Sequence, residues 1–324
     1  MILTTEKAER LEGPPSDRPA ACPKNGQSGT HAAEPPAQVG VLVAVEISKA
    51  RKPPGTELTA STLRTTVPHW KAAALGGAAI WQIPVKKGSI MNSETLKYVA
   101  WTASQYIRKP IRGVILTFHG LGSCSVKELP TPEELAWAEV GGLAVFPYYG
   151  PWSWMNRAAR QFTDELVKVV YEHYKLPERT PLISTGGSMG GHAALLYARY
   201  AKRPVKACLA LYPACDLKYH FTERPDLPRT ILYAFRGYPE DRESLFAEHS
   251  PLAQVDFMPK IPYLIVHGDK DAAVSKVQHS DRMVAAMRRK KLKVEYVEVP
   301  GMGHGGPMPI PVTQKCVRFV TSFL

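Results

Sequence analysis

From Pro110 onward the chain carries a series of continuously apolar runs, and these restrict it to one class of fold. The runs are Gly113–Phe118, Leu143–Phe146, Pro181–Ser184, Ala207–Leu211 and Ile261–Val266, each of strand length. A strand that is apolar at successive positions has both faces buried, as happens in a parallel sheet covered by helices on both sides. Helical patterns lie between the runs, at Pro132–Glu139, Arg157–Tyr174, Met189–Ala201 and Lys276–Arg289. A last strand at Lys293–Val299 and a terminal helix near Val312–Phe323 complete the pattern. The expected fold is α/β, a doubly wound and mostly parallel sheet, with ligands at the carboxyl ends of its strands.

Upstream, Ile80–Val85 and Lys97–Thr102 alternate polar and apolar residues around a turn at Lys86, Lys87 and Gly88, which predicts strands near a sheet edge. Residues 1 to about 60 hold Pro14, Pro15, Pro19, Pro23, Pro35, Pro36, Pro53 and Pro54 with almost no periodic apolar content. Such a segment buries too little surface to offset its ordering entropy. Residues 1–78 are therefore expected to be a largely disordered leader, with at most a short strand at Val41–Ile47, and 79–324 a single α/β domain.

Composition excludes more than it identifies. With 44% hydrophobic and 22% charged residues, the 324-residue chain has ordinary globular usage. The longest apolar candidate, Val39–Ile47, is about half the ~20 residues a membrane helix needs and contains Glu46. Met1–Arg10 lacks the apolar core of a secretory signal, so a cytoplasmic location is expected. Cys22, Cys124, Cys208, Cys215 and Cys316 are scattered without metal-ligand spacing, which points to reduced thiols and no metal or other cofactor. The net charge of +12 raises the question of an anionic partner. The dense basic run at Arg288–Lys293 lies where a helix ends, however, and reads as compensation of the helix dipole; no nucleic-acid or membrane partner is expected.

The sharpest motif is Thr185-Gly-Gly-Ser188-Met-Gly-Gly191, a G-x-S-x-G between a predicted strand and a predicted helix. Glycines there permit a tight strand-to-helix turn that lifts a serine hydroxyl clear of the sheet, making Ser188 a candidate nucleophile. A hydroxyl needs a base and a group to orient that base. His304, flanked by glycines in a flexible loop after the last strand, is the candidate base; His119, His192 and His267 are less favourably placed. Asp269 and Asp271 both follow the penultimate strand. Asp271 is preferred, because Asp269 sits at the turn itself, where an Asx side chain tends to bond its own backbone. Asp216 is the third candidate. Oxyanion donors are expected from the amide of Met189 and from that of Leu121, on the glycine-rich loop after Phe118. Cys124, on the same loop, reads as a small packing residue. Aromatic residues after the strand at Phe146 and in the irregular stretch Cys215–Pro259 are candidates to wall a substrate pocket; His119, Tyr149, Trp152 and Tyr219 are singled out.

These motifs together, His119-Gly120, Gly186-Gly-Ser188-Met-Gly190-Gly191, His267-Gly-Asp-Lys-Asp271 and Gly303-His304-Gly305, resemble the α/β-hydrolase fold serine hydrolases. The resemblance is to the branch holding the prolyl oligopeptidase catalytic domain and related single-domain esterases, and it covers residues 80–324. It implies a triad of Ser188, Asp271 and His304 and an acyl-enzyme mechanism. A gating propeller of at least four ~40–50-residue blades does not fit into the first 80 residues. The expected activity is therefore hydrolysis of small-molecule carboxylic esters with short acyl groups, acetylated carbohydrates among them. An ungated peptidase or aminopeptidase is the alternative, and a non-catalytic binding module on the same scaffold ranks third.

Overall fold

The computed structural model describes residues 73–75, 78–80 and 91–324, apart from 124 and 125. Most of the expected leader, the strand at Val41–Ile47, most of Ile80–Val85, the turn at Lys86, Lys87 and Gly88, and Cys124 lie outside the described residues, whereas 73–75 and 78, placed in the leader, are strand. The chain divides into two compact units, Met1–Gln82 and Ile83–Leu324. In the first, strands β1 (Ala73–Leu75) and β2 (Ala78–Ile80) pair antiparallel.

The second unit is built on a seven-stranded sheet. Its strands are β3 (Ala100–Thr102), β4 (Gly113–Phe118), β5 (Gly142–Pro147), β6 (Leu182–Gly187), β7 (Val205–Leu211), β8 (Tyr263–Gly268) and β9 (Val294–Val299). The spatial order is β3-β5-β4-β6-β7-β8-β9, and all neighbours run parallel except β3 against β5. The alternating segment Lys97–Thr102 is strand only over its last three residues, which do form the sheet edge. Its first part belongs to the short helix α1 (Leu96–Val99), which turns the chain and buries Leu96.

Side-chain alternation explains the continuous apolar runs. In β4, Val114, Leu116 and Phe118 enter one core while Ile115 enters the other. In β8, Tyr263 and Ile265 face the first core, Leu264 and Val266 the second. The first core is closed by α3 (Arg157–His173), α4 (Met189–Tyr200) and α8 (Arg282–Arg289), and the second by α2 (Pro132–Glu139) and α9 (Ile310–Thr321). Helix starts follow local chemistry. Thr131 and Glu134 form a reciprocal capping box with Pro132 in the first turn of α2, and the Asn156 side chain accepts from the Ala159 amide to cap α3.

The stretch Cys215–Pro259, read as irregular, holds three helices: α5 (Leu217–Glu223), α6 (Leu227–Ala234) and α7 (Arg242–His249). They bury Leu217, Leu227, Ile231, Leu245 and Phe246. The strand order reverses between β4 and β6, so the loops leaving their carboxyl ends diverge and open a crevice there.

Candidate active site

Ser188 stands at that crevice, between β6 and α4. Its backbone is at φ 60° and ψ −125°, a strained conformation for a residue with a side chain. The turn is held by the Ser188 amide donating to the Leu211 carbonyl at 2.9 Å, and it has room to form because Gly186, Gly187, Gly190 and Gly191 lack side chains. A Cβ on Gly190 would lie 2.1 Å from the Phe118 carbonyl oxygen, so α4 packs directly against the end of β4. Gly190→Ala must push backbone apart. A loss of about 3 kcal/mol is expected, read as a melting temperature lower by roughly 6–12 °C for a unit of this size.

Three side chains distant in sequence meet here. Ser188 Oγ lies 2.9 Å from His304 Nε2, and His304 Nδ1 lies 2.7 Å from Asp271 Oδ2. The carboxylate fixes the proton on Nδ1, leaving Nε2 as acceptor for the serine hydroxyl. The other carboxylate oxygen accepts from the amides of Ala273 and Val274, each at 2.9 Å. Burial alone would raise the Asp271 pKa, but hydrogen bonds from His267, His304 and the Val274 amide hold it well below the usual carboxylate range.

Asp269 does not close a turn on its own backbone, as its position suggested. Its carboxylate accepts from the Gly301 amide at 2.6 Å, while the Lys270 amide donates to the Met302 carbonyl at 3.1 Å. The loop carrying His304 is thereby stitched to the loop carrying Asp271, rather than being free to swing as its glycines suggested. Asp216 caps α5 and pairs with Arg282 at 2.8 Å, and none of its bonds reaches His304.

His267 has a position that sequence reasoning missed. Its buried ring places Nε2 3.1 Å from Asp271 Oδ2 and 3.0 Å from the Val274 carbonyl, with Nδ1 2.7 Å from Ser280 Oγ. Both Nε2 neighbours are acceptors, so the proton sits on Nε2 and the Ser280 hydroxyl donates to Nδ1. Asp271 thus receives two imidazole N–H groups. Ser280 reaches inward next to the inward-facing His279 because the turn Val277–Asp281 is a π-helix at the start of α8. The available signal was the four-residue spacing of His267 and Asp271 across one loop.

A cavity of about 850 Å³ opens over Ser188 and His304. Leu121 lines it, and the Met189 amide, next to the nucleophile candidate, is one of the first-turn donors that α4 itself leaves without a helical acceptor. Of the four aromatic pocket candidates only Trp152 lines the cavity. His119 and Tyr149 are buried behind it, their rings stacked at 4.2 Å, with Tyr149 donating to the His119 carbonyl and the His119 ring on the Gly120 carbonyl. Tyr219 packs edge-on against His279. The wall is completed by Tyr212, Arg224, Asp226, Arg229 and Thr230, none of them singled out from the sequence. Tyr212 directly follows β7 at φ 37° and sets its ring edge-on to His304 at 4.9 Å.

One cluster among the described residues has the composition of a metal site: His220, Glu223 and His279. Its hydrogen bonds define a different role. His279 Nδ1 accepts from the amides of Cys215 and Asp216, so its proton is on Nε2 and is donated to Glu223 at 2.9 Å. A metal on Nε2 would require that proton to move to Nδ1, against two backbone N–H groups. Glu223 also accepts from the Ser275 amide at 2.5 Å, tying α5 to the loop that carries Asp271. Burial would raise its pKa, yet the bonds from His220, His279 and Ser275 leave it at about 2.

Comparison with curated proteins finds no match. Among solved structures, a puromycin-hydrolyzing peptidase of Mycobacterium tuberculosis is 20% identical over 66% of this chain and 34% of its own, with a TM-score of 0.52. An acylaminoacyl peptidase of Pyrococcus horikoshii is 14% identical over 67% of this chain and 37% of its own, with a TM-score of 0.56. A truncated carbohydrate esterase from gut microbiota is 17% identical over 67% of this chain and 87% of its own, with a TM-score of 0.55. The chain thus spans about a third of the length of the two peptidases, and at these identities the likeness concerns the fold. Residues 156–324, which hold all three hydrogen-bonded side chains, match the prolyl oligopeptidase family, and the chain belongs to that family of α/β-hydrolase fold serine hydrolases.

Proposed function

We propose that the chain hydrolyses carboxylic esters with short acyl groups, using Ser188 as nucleophile, His304 as general base and then acid, and Asp271 to orient the imidazole. The hydrogen-bonded series Ser188–His304–Asp271 carries this reading. Ser188 Oγ attacks the ester carbonyl while His304 Nε2 takes its proton. The tetrahedral oxyanion is received by the amides of Met189 and Leu121. His304 returns the proton to the leaving alcohol, and water then deacylates the enzyme by the same route.

The choice of ester over peptide rests on the cavity wall. An aminopeptidase must bind a free amino terminus, for which an unpaired carboxylate is the natural partner. The carboxylate lining this cavity, Asp226, is already forked by Arg224 at 3.0 and 2.6 Å. Trp152 gives the cavity an aromatic wall of the kind that packs against a sugar or aryl group, and the structural likeness to a carbohydrate esterase, 87% of whose chain is covered, is in keeping with acetylated sugars as substrates.

The test is a panel of 4-nitrophenyl acetate, butyrate and longer esters, acetylated sugars and aminoacyl-nitroanilides, with fluorophosphonate labelling alongside. Short esters are expected to be turned over fastest. Faster nitroanilide cleavage would replace the reading with a peptidase. Absence of both turnover and labelling would leave a binding module.

A further inference from the structure

The charged side chains that line the cavity do not cancel, although the Asp271 carboxylate lies behind His304. Its described lining contains two guanidinium groups, Arg224 and Arg229, and one carboxylate, Asp226. Arg224 is bidentate on Asp226, with Nε on one oxygen and Nη2 on the other, so that pair is neutral. Arg229 is exposed at the cavity and forms no ion pair with any carboxylate among the described residues. What holds it is aromatic: its guanidinium carbon stands 5.0 Å from the centre of the Trp152 ring, and Trp152 is set edge-on against Tyr233 at 5.5 Å. A guanidinium placed over an indole, with no carboxylate partner among the described residues, has N–H groups to offer, and these match a carboxylate in a two-point fork. A second guanidinium, Arg236, lies 4.3 Å from the Tyr233 ring and adds to the positive field on the same side. A concave wall with one uncompensated cation raises the local concentration of anions.

We propose that Arg229 is a specificity determinant: the preferred esters carry a carboxylate, on the acyl or the alcohol side, which docks on its guanidinium while the ester carbonyl reaches Ser188. This rests on the esterase reading above and adds the charge of the substrate to it.

The experiment compares kcat/KM for two matched pairs. 4-Nitrophenyl hemisuccinate against 4-nitrophenyl butyrate reads the acyl side, and 3-acetoxybenzoate against 3-acetoxybenzamide reads the alcohol side. In at least one pair the charged-to-neutral ratio is expected to exceed ten and to fall roughly ten-fold or more in Arg229→Ala. Arg229→Lys should retain part of it, and salt should erode it. Calorimetry of isophthalate against isophthalamide reads the same subsite without turnover: the dianion is expected to bind the wild type more tightly than the diamide, and Arg229→Ala to remove the difference. Equal ratios in wild type and Arg229→Ala, with no isophthalate preference, would overturn the proposal. If no ester is hydrolysed but the isophthalate difference stands, the esterase reading fails and the anion subsite survives. Melting temperatures of the variants establish that each is folded.

Discussion

Replacing Ser188 by alanine is expected to lower kcat for 4-nitrophenyl acetate by about a million-fold and to abolish fluorophosphonate labelling, with the fold intact. The size of the effect follows from the role of the hydroxyl. In the proposed mechanism its oxygen is the atom that becomes covalently acylated, so its loss removes the two-step route rather than weakening one interaction. What remains in Ser188→Ala is the cavity and the oxyanion donors, which can assist attack by water only modestly. Stability should change in the opposite sense or very little. Residue 188 is held at φ 60° by the hydrogen bond its amide donates to the Leu211 carbonyl and by the approach of α4 to β4, neither of which involves the hydroxyl. Residual turnover within a hundred-fold of wild type, in protein free of contaminating esterase, would place the nucleophile elsewhere.

The parts of this site legible in the sequence are those where one physical requirement has one chemical solution. A strand-to-helix turn with α4 packed on the end of β4 needs glycines at fixed places, and Gly186 and Gly190 advertised Ser188. Strands buried on two faces read as unbroken apolar runs, which marked β4 to β8. Ligands are expected at the carboxyl ends of strands in such a sheet, so the proposed acid and base are to be sought in the loops after β8 and β9, where Asp271 and His304 lie.

The wall of the cavity was not legible because its helices are short and interrupted. Pro225 and Pro228 flank the start of α6, and its buried positions Leu227, Thr230, Ile231 and Ala234 keep helical spacing over only eight residues, too short a run to announce a helix between prolines. Aromatic residues posed a different difficulty. Tyr149 and Trp152 are three positions apart on one loop, yet one stacks behind the site on His119 and the other faces the cavity. Sequence alone does not say to which side of a loop a ring turns. Asp269 and Asp271 show the limit most sharply. The turn-closing bonds expected of Asp269 are made instead by Asp271 Oδ1, which uses them to aim Oδ2 at two histidines.

That double use of Asp271 gives the second large effect, a fall in kcat of about ten-thousand-fold in Asp271→Asn. If the amide oxygen keeps the bonds to the Ala273 and Val274 amides, the NH₂ group occupies the place of Oδ2. It then confronts the N–H of His304 at Nδ1 and the N–H of His267 at Nε2, three donors with no acceptor among them. His304 escapes by shifting its proton to Nε2, the nitrogen 2.9 Å from Ser188 Oγ, and the general-base step of the proposed mechanism is lost. His267 has a poorer escape. With its proton moved to Nδ1 the Ser280 hydroxyl can rotate to accept, but the bare Nε2 then faces the Val274 carbonyl at 3.0 Å. The variant should therefore lose stability as well as rate, by about 1–3 kcal/mol for a buried unsatisfied pair. Combining Asp271→Asn with His267→Phe separates the two. The phenyl ring removes the second donor conflict, so part of the stability is expected to return while kcat stays low. Recovery of both together would mean that the rate loss came from distortion of the loop, and that the His304 proton is not set by Asp271.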